Sequence, residues 1–518
     1  MCYDSFMLSK VFSAAVVGLD AIPVEVEVDI ASQGLPSFTI VGLPDKAVEE
    51  AKERVRSAIR NSGADFPARR ITVNLAPADL PKEGPSYDLP IALGILLASG
   101  QLQTDLATSL ISGELSLDGR VRAINGALIQ ALMARDKKLN NVFIPAENAR
   151  EAAIVEDVKI FPVDSLKSLF FHLTNQQPIK KMKSILFEET ADNRLFDYDM
   201  KDIRGQHQAK RALEIAAAGG HNILFKGPPG AGKTLLARTL ASILPKLTFE
   251  EMIEVTKIYS IAGLLGKDAI ISTRPFRSPH HTISLVGLIG GGTNPRPGEI
   301  TLAHRGVLFL DEFPEFPRII LESLRQPIED AVVSISRSKG KTTFPAKCML
   351  VASQNPCPCG YLGDNSHKCI CTALQISRYK KKISGPLLDR IDIHLDVPAV
   401  KVEKLTEQQT DHVENSQIIQ NRVQKARDKQ NKRYNGTIIT SNAELTNKTV
   451  KIYCKLSDDC IDLLRQAVSA MGLSGRAYYR IIKLSRTIAD LDNEKNIQTQ
   501  HIAEALQYRP KGEAWSMD

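Results

Sequence analysis

A mixed α/β chain of several domains is what this sequence predicts, and three observations predict it. Between residues 9 and about 172, strand-like alternation such as "IPVEVEVDI" and "SFTIVG" is interleaved with stretches of helical spacing. From about Asp202 to Pro398 the order is helix, strand, glycine-rich turn, helix, then further apolar strands, as in a parallel sheet with crossover helices. Residues 442 to about 508 have helical spacing and no strand alternation, and look like a small lid. At 518 residues and 43% apolar composition the chain is folded but too long for one core.

The first apolar stretch, "VFSAAVVGL", meets Asp20 almost at once and runs into a strand, so it reads as neither a signal peptide nor a membrane span. "DKAVEEAKERVRSAIRNSG" carries apolar residues at helical spacing, while "RRITVNLAP" and "NNVFIPA" read as strands. The expected division is an α/β domain over 1–175, a linker over 176–200, a parallel-sheet domain over 201–400, a polar connection over 401–441 and a helical lid over 442–518. Within the connection, "QNRVQKARDKQNKR" reads as a solvated helix. The balance of 66 basic against 59 acidic residues, a net +7, permits nucleic-acid binding without demanding it. Eight cysteines, four of them between Cys357 and Cys371, suit a metal clip better than a secreted disulfide framework, and the expected compartment is the cytoplasm.

Chemistry is densest at "NILFKGPPGAGKT", a strand running into a glycine-rich turn and then a helix. Over Gly227, Pro228, Pro229, Gly230, Ala231 and Gly232 the backbone can curl its N–H groups around phosphates. Lys233 then reaches the β and γ oxygens, and Thr234 offers a hydroxyl to Mg²⁺, so ATP and Mg²⁺ are expected. "GVLFLDEF" supplies the matching acidic pair at a strand end: Asp311 to orient Mg²⁺ and Glu312 to polarise the attacking water. Asn355 follows another strand, placed to sense the γ-phosphate or hold that water. Arg390 in "GPLLDRIDIH" is suited to reach a neighbouring subunit's nucleotide, or to a local ion pair with Asp389 or Asp392. In the lid, Arg476 or Arg480 is expected at the γ-phosphate, with Arg476 preferred.

"CPCGYLGDNSHKCIC" brings Cys357, Cys359, Cys369 and Cys371 close enough for a tetrahedral Zn²⁺ site. The pairs are one residue apart where zinc knuckles usually allow two, and reduced thiols or a labile disulfide stay open as alternatives. Phosphate contact, metal ligation and simple packing are all open to His280 and His281, and structural roles are expected.

These motifs, with "RPFRSPHHTISLVGLIGGGTNPRPGEITLAHRGVLFLDEFPEFPR" and "LESLRQPIED", resemble an AAA+ ATPase of the Mg-chelatase-like branch and, over nearly the whole chain, the ComM/YifB family. That resemblance implies a homo-hexameric ring that hydrolyses ATP and translocates on single-stranded and branched DNA. It further implies branch migration of recombination intermediates during natural transformation, alongside recombination proteins and without a membrane. A metal-chelatase-type motor or a remodelling factor that does not act on DNA is the alternative. In a ring, the hairpin turn "SRSKGK" would line the channel with Arg337, Lys339 and Lys341, where an isolated turn of this kind is merely solvated.

The N-terminal blocks "LPKEGPSYDLPIALGILLASG" and "ISGELSLDGRVRAINGALIQALMA" resemble the Lon proteolytic domain, with Ser86 at the nucleophile position. A serine needs a base, and Leu128 stands where the Lon lysine would be. Proteolysis is therefore not expected, and Ser86 is expected to cap or hydrogen-bond the turn before its helix.

Overall fold

Alternation in the N-terminal segment becomes burial: Val24, Val26, Val28 and Ile30 of strand β2 are buried while the intervening glutamates are half-exposed. The computed structural model describes residues 8–184, 196–266, 270–292, 295–337, 340–364, 367–399 and 414–510. It divides into a unit of Met1–Ala191 with Met252–Ile271, and a unit of Asp192–Glu251 with Ser272–Asp518.

The first unit is built on strands β1 (Leu8–Val17), β2 (Asp20–Ile30), β3 (Ser37–Val41), β4 (Arg70–Ala76), β5 (Ser109–Ile111), β6 (Asn141–Pro145) and β7 (Lys159–Val163). They form a mixed sheet in the order β3-β4-β2-β1-β5-β6-β7. Helix α1 (Lys46–Asn61) starts where Asp45 accepts the Val48 N–H at 2.8 Å, and it buries Val48, Ala51, Val55, Ala58 and Ile59 along one face. Helix α2 (Asp88–Ala98) is buried almost all round and packs on β1 and β2; α3 (Ala127–Asp136) and α4 (Leu166–Leu173) complete the unit.

In the second unit α5 (His207–Gly219) leads into β8 (Ile223–Lys226), and α6 (Lys233–Thr239) follows the glycine-rich turn. Helix α7 (Phe249–Ala262) comes next in the chain and from Met252 on belongs to the first unit; β9 (Phe276–Arg277) and β10 (Val307–Leu310) belong to the second. A hairpin of β11 (Val332–Arg337) and β12 (Gly340–Pro345) precedes β13 (Met349–Gln354) and β14 (Ile393–Asp396). The five-stranded sheet runs β9-β10-β13-β8-β14 with every pair parallel, the expected parallel-sheet fold.

Helix α8 (Ser416–Arg433) corrects the solvated-helix expectation. It buries Ile419, Val423 and Ala426, and also Arg427 and Gln430. Arg427 donates to the carbonyls of Ala217 and Ala218, and Gln430 to Ala218 at 3.0 Å, so these polar side chains satisfy the carbonyls that end α5. The sequence looks solvated because half of the helix's buried face is polar. The lid consists of α9 (Asp458–Met471), α10 (Gly475–Leu491) and α11 (Thr499–Gln507) with shorter turns. Among the described residues no helix is long and apolar enough to cross a membrane.

Asp392 ties the lid to the sheet. Its carboxylate meets Arg480 of α10, His221 Nδ1 at 3.4 Å and the Asn222 N–H at 3.2 Å. Burial opposes the charge, but Arg480, His221 and Lys483 together hold the carboxyl well below the usual range. An acid with a lowered folded pKa contributes stability at pH values above its unfolded pKa of about 3.9, and that contribution is lost as pH falls through the folded value. Asp392→Ala strands Arg480 and is expected to cost about 3–5 kcal/mol. Urea melts at pH 7 test this, and the deficit should persist down to about pH 4.

Candidate active site at the phosphate loop

Strand β8 delivers the phosphate loop between two neighbours. Lys226 is aligned with Gln354 of β13 and Asp396 of β14, and just beyond it Gly227 N donates to the Gln354 carbonyl at 3.2 Å. A Cβ on Gly227 would collide with the Val397 carbonyl, so the strand end admits only glycine. Gly230 and Gly232 turn the loop with φ of 74° and 83°. Ala231 is fully buried and its carbonyl accepts from Gln206 Nε2 at 2.9 Å, a contact that no motif in the sequence announces.

Lys233 is buried, and its Nζ donates to the carbonyls of Gly227 and Pro228, each at 2.8 Å, and to Asn355 Oδ1 at 3.0 Å. Burial lowers the Lys233 pKa, opposed by the charges of Asp311 and Glu312. Thr234 Oγ1 donates to Asp311 Oδ2 at 2.8 Å. Lys233, Thr234, Asp311 and Asn355 thus lie together at one end of the sheet.

Register explains a residue the sequence reading missed. Leu310 pairs with Ala352, so Asp311 and Ser353 extend side by side beyond them, and the Ser353 hydroxyl donates to Asp311 Oδ1. Asp311 is therefore held through one oxygen by Ser353 and the Glu312 N–H, and through the other by Thr234. Glu312 has the left-handed φ of 51° that a non-glycine residue adopts at a cost of about 1–3 kcal/mol, and its side chain is 58% exposed. His281 Nδ1 lies 3.5 Å from Glu312 Oε2 with the His280 ring tilted against it, so His281 borders the acidic pair.

The arginines lie elsewhere. Arg390 comes just before β14, its carbonyl held by Asn222 Nδ2 at 3.0 Å, and Asn222 precedes β8. The phosphate loop leaves the other end of β8, so the two positions face opposite edges of the sheet, about 16 Å apart at strand rise. Arg390 is paired with Glu329 and donates to the Pro386 carbonyl at 2.7 Å; no contact joins it to Asp389. Arg476 also faces Glu329, at 3.6 Å, so the structure does not bring it to the phosphate loop of its own chain. Arg480 is committed to Asp392 and the Arg390 carbonyl. A cleft of about 850 Å³ opens at this edge, lined among others by Glu329, Arg390, Arg476 and Arg480.

The four cysteines converge. Cys357, Cys359 and Cys369 place their Sγ atoms 3.4–3.7 Å apart, and the cluster including Cys371 fits within 4.8 Å. Tetrahedral Zn²⁺ with bonds near 2.3 Å requires sulfur–sulfur edges of about 3.8 Å, so the donor set fits that ion. The described cysteines are unbridged, and His367 is turned toward Tyr361 and Asp364. Of the basic hairpin tip, Lys339 lies outside the described residues, Arg337 is placed by its backbone pairing with Gly340, and Lys341 is exposed.

Ser86 sits inside the turn Pro85–Tyr87, one residue before the N-cap of α2, and no side-chain cap is made there. Its carbonyl, not its hydroxyl, anchors the turn, accepting from Gly113 N at 2.9 Å; this corrects the expected side-chain cap. Leu128 is fully buried, Lys82 is spent on the Pro77 carbonyl, and Asp88 is gripped by Arg54 at 2.6 and 3.0 Å.

Three models of the magnesium chelatase subunit ChlI match consecutive stretches: residues 26–148, 199–405, and, for its C-terminal part, 413–509. The "Competence protein ComM" of Haemophilus influenzae is 45% identical over 97% of both chains, and the "Uncharacterized protein YifB" of Escherichia coli 43% over 97% of both. The chain belongs to the ComM/YifB family. Lon protease 2 of Bacillus subtilis is 30% identical over 30% of this chain, a partial likeness in keeping with the Lon-like expectation. As in the family at large, the second unit is an AAA+ ATPase domain of Mg-chelatase type, which implies ATP and Mg²⁺ as its ligands. Ser353→Ala should raise the Mg²⁺ concentration for half-maximal ATP hydrolysis about tenfold by freeing Asp311, as loss of such supporting contacts does elsewhere. A Mg²⁺ titration of hydrolysis measures it.

Proposed function

We propose that this chain is a homo-hexameric, ring-forming, ATP-driven motor that translocates on DNA and promotes branch migration of recombination intermediates during natural transformation. The observation that carries the reading is the division of the ATP chemistry between the two edges of one sheet. Lys233, Thr234, Asp311, Glu312 and Asn355 stand at one edge and Arg390 with Arg476 at the other. A complete site then needs the arginine edge of a neighbouring copy.

In such a site the loop amides and Lys233 would hold the phosphates, and Thr234 and Asp311 would hold Mg²⁺, which would supply neutralising charge there. Glu312 takes the proton of the attacking water, and the neighbour's arginines stabilise charge on the transferred phosphoryl group. DNA is supported by the exposed Lys341 at the hairpin and by full-length likeness to a protein named for competence. A chelatase-type motor is favoured by the family models' description, while the Lon-like segment and the basic hairpin favour DNA. We also propose that the four cysteines hold one structural Zn²⁺.

Lys233→Ala and Arg390→Ala should each lower hydrolysis about 10³-fold, and mixing them should restore part of it, because hybrid rings contain intact sites. No recovery on mixing contradicts the shared site. Lys341→Glu should weaken DNA binding and flatten its salt dependence while sparing hydrolysis without DNA.

A further inference from the structure

The cysteine cluster lies against the phosphate loop. Cys357 follows Asn355 by two residues, and Asn355 is the side chain that receives Lys233 Nζ at 3.0 Å. Gly360, one residue past Cys359, has φ of 86°, and a Cβ built on it would lie 2.5 and 2.6 Å from Cδ and Cγ of Pro229 in the phosphate loop. The loop that carries the first cysteine pair is thus pressed on the Pro229 ring with no room for a methyl group. Beyond the second pair, Thr372 caps the helix Ala373–Lys380, and the buried Tyr379 of that helix lies beside the Asn355 backbone. The cysteine loop therefore starts two residues after Asn355, runs on into a helix that comes back beside it, and rests on Pro229 at Gly360.

We propose that the metal held by Cys357, Cys359, Cys369 and Cys371 is a brace for nucleotide binding: its occupancy sets the grip of the phosphate loop on ATP. This rests on the zinc reading above and adds a regulatory consequence to it. With the metal bound, the four sulfurs close a loop that would otherwise span Asn355 to Thr372 under its own entropy. Gly360 is then fixed over Pro229, and Asn355 is fixed toward Lys233. Without the metal, the phosphate loop loses the surface that backs it. Gly360 and Asn355 act as positioning residues between the metal and the loop.

The test uses the full chain, with metal content by elemental analysis, folding by circular dichroism and the dissociation constant of a fluorescent ATP analogue. Removal of metal by a chelator should weaken the analogue at least about tenfold, and added Zn²⁺ should restore it. Co²⁺ in its place should give thiolate charge-transfer absorption. Gly360→Ala, which keeps all four thiols, should retain the metal and still weaken the analogue. If metal is bound and removable but neither its removal nor Gly360→Ala alters nucleotide affinity, the brace is overturned while the zinc site stands. If reduced protein binds neither Zn²⁺ nor Co²⁺, the zinc reading itself falls. Should the metal-free protein unfold, the Gly360→Ala measurement alone decides.

Discussion

The parallel register of β8 between β13 and β14 is the constraint on which the rest depends. Because Lys226 aligns with both Gln354 and Asp396, everything that follows these three strands meets at one edge: the phosphate loop, Asn355 and Val397. Because the same strands begin together, Asn222 and Arg390 meet at the other edge. Parallel strands of four to six residues cannot bring their two ends together. The phosphate loop and the Arg390–Arg476 pair therefore face away from each other on a single sheet, and that separation is the ground for proposing that a second copy completes the site.

What holds that sheet in place is largely polar. Arg427 and Gln430 of α8 close the C-terminal end of α5, and Asp392 gathers Arg480, His221 and the Asn222 backbone N–H. Asp490, with no exposed side-chain surface, does the same inside the lid for Arg433, Arg486 and Asn442. Buried charge of this kind is weak evidence for stability but strongly penalises any arrangement that breaks it. Movement of the lid against the sheet would have to break the Arg480–Asp392 pair.

Much of this was legible in the sequence wherever a local pattern carried it. The phosphate loop follows its strand and precedes its helix within one short segment, and the acidic pair closes an apolar run, so periodicity alone placed both. Helix α1 was equally plain from its apolar spacing. What escaped needed pairing between distant strands. Ser353 acquires its role only when β13 lies beside β10, and Gln206 only when its loop reaches Ala231. The place of Arg476 beside Glu329 shows only in the structure, because sequence spacing says nothing about which end of the sheet a lid helix covers. Helix α8 looked solvated because its buried positions include an arginine and a glutamine that serve another helix's carbonyls. Gly360 is one glycine among many until its backbone is seen on Pro229.

If one chain holds only half of each ATP site, catalysis has to appear with assembly. The most direct measurement is ATP hydrolysis per chain against protein concentration, with sedimentation run on the same samples. A rate near background is expected for separate chains, rising steeply where oligomers form. A per-chain rate that is constant across that transition would contradict the shared site.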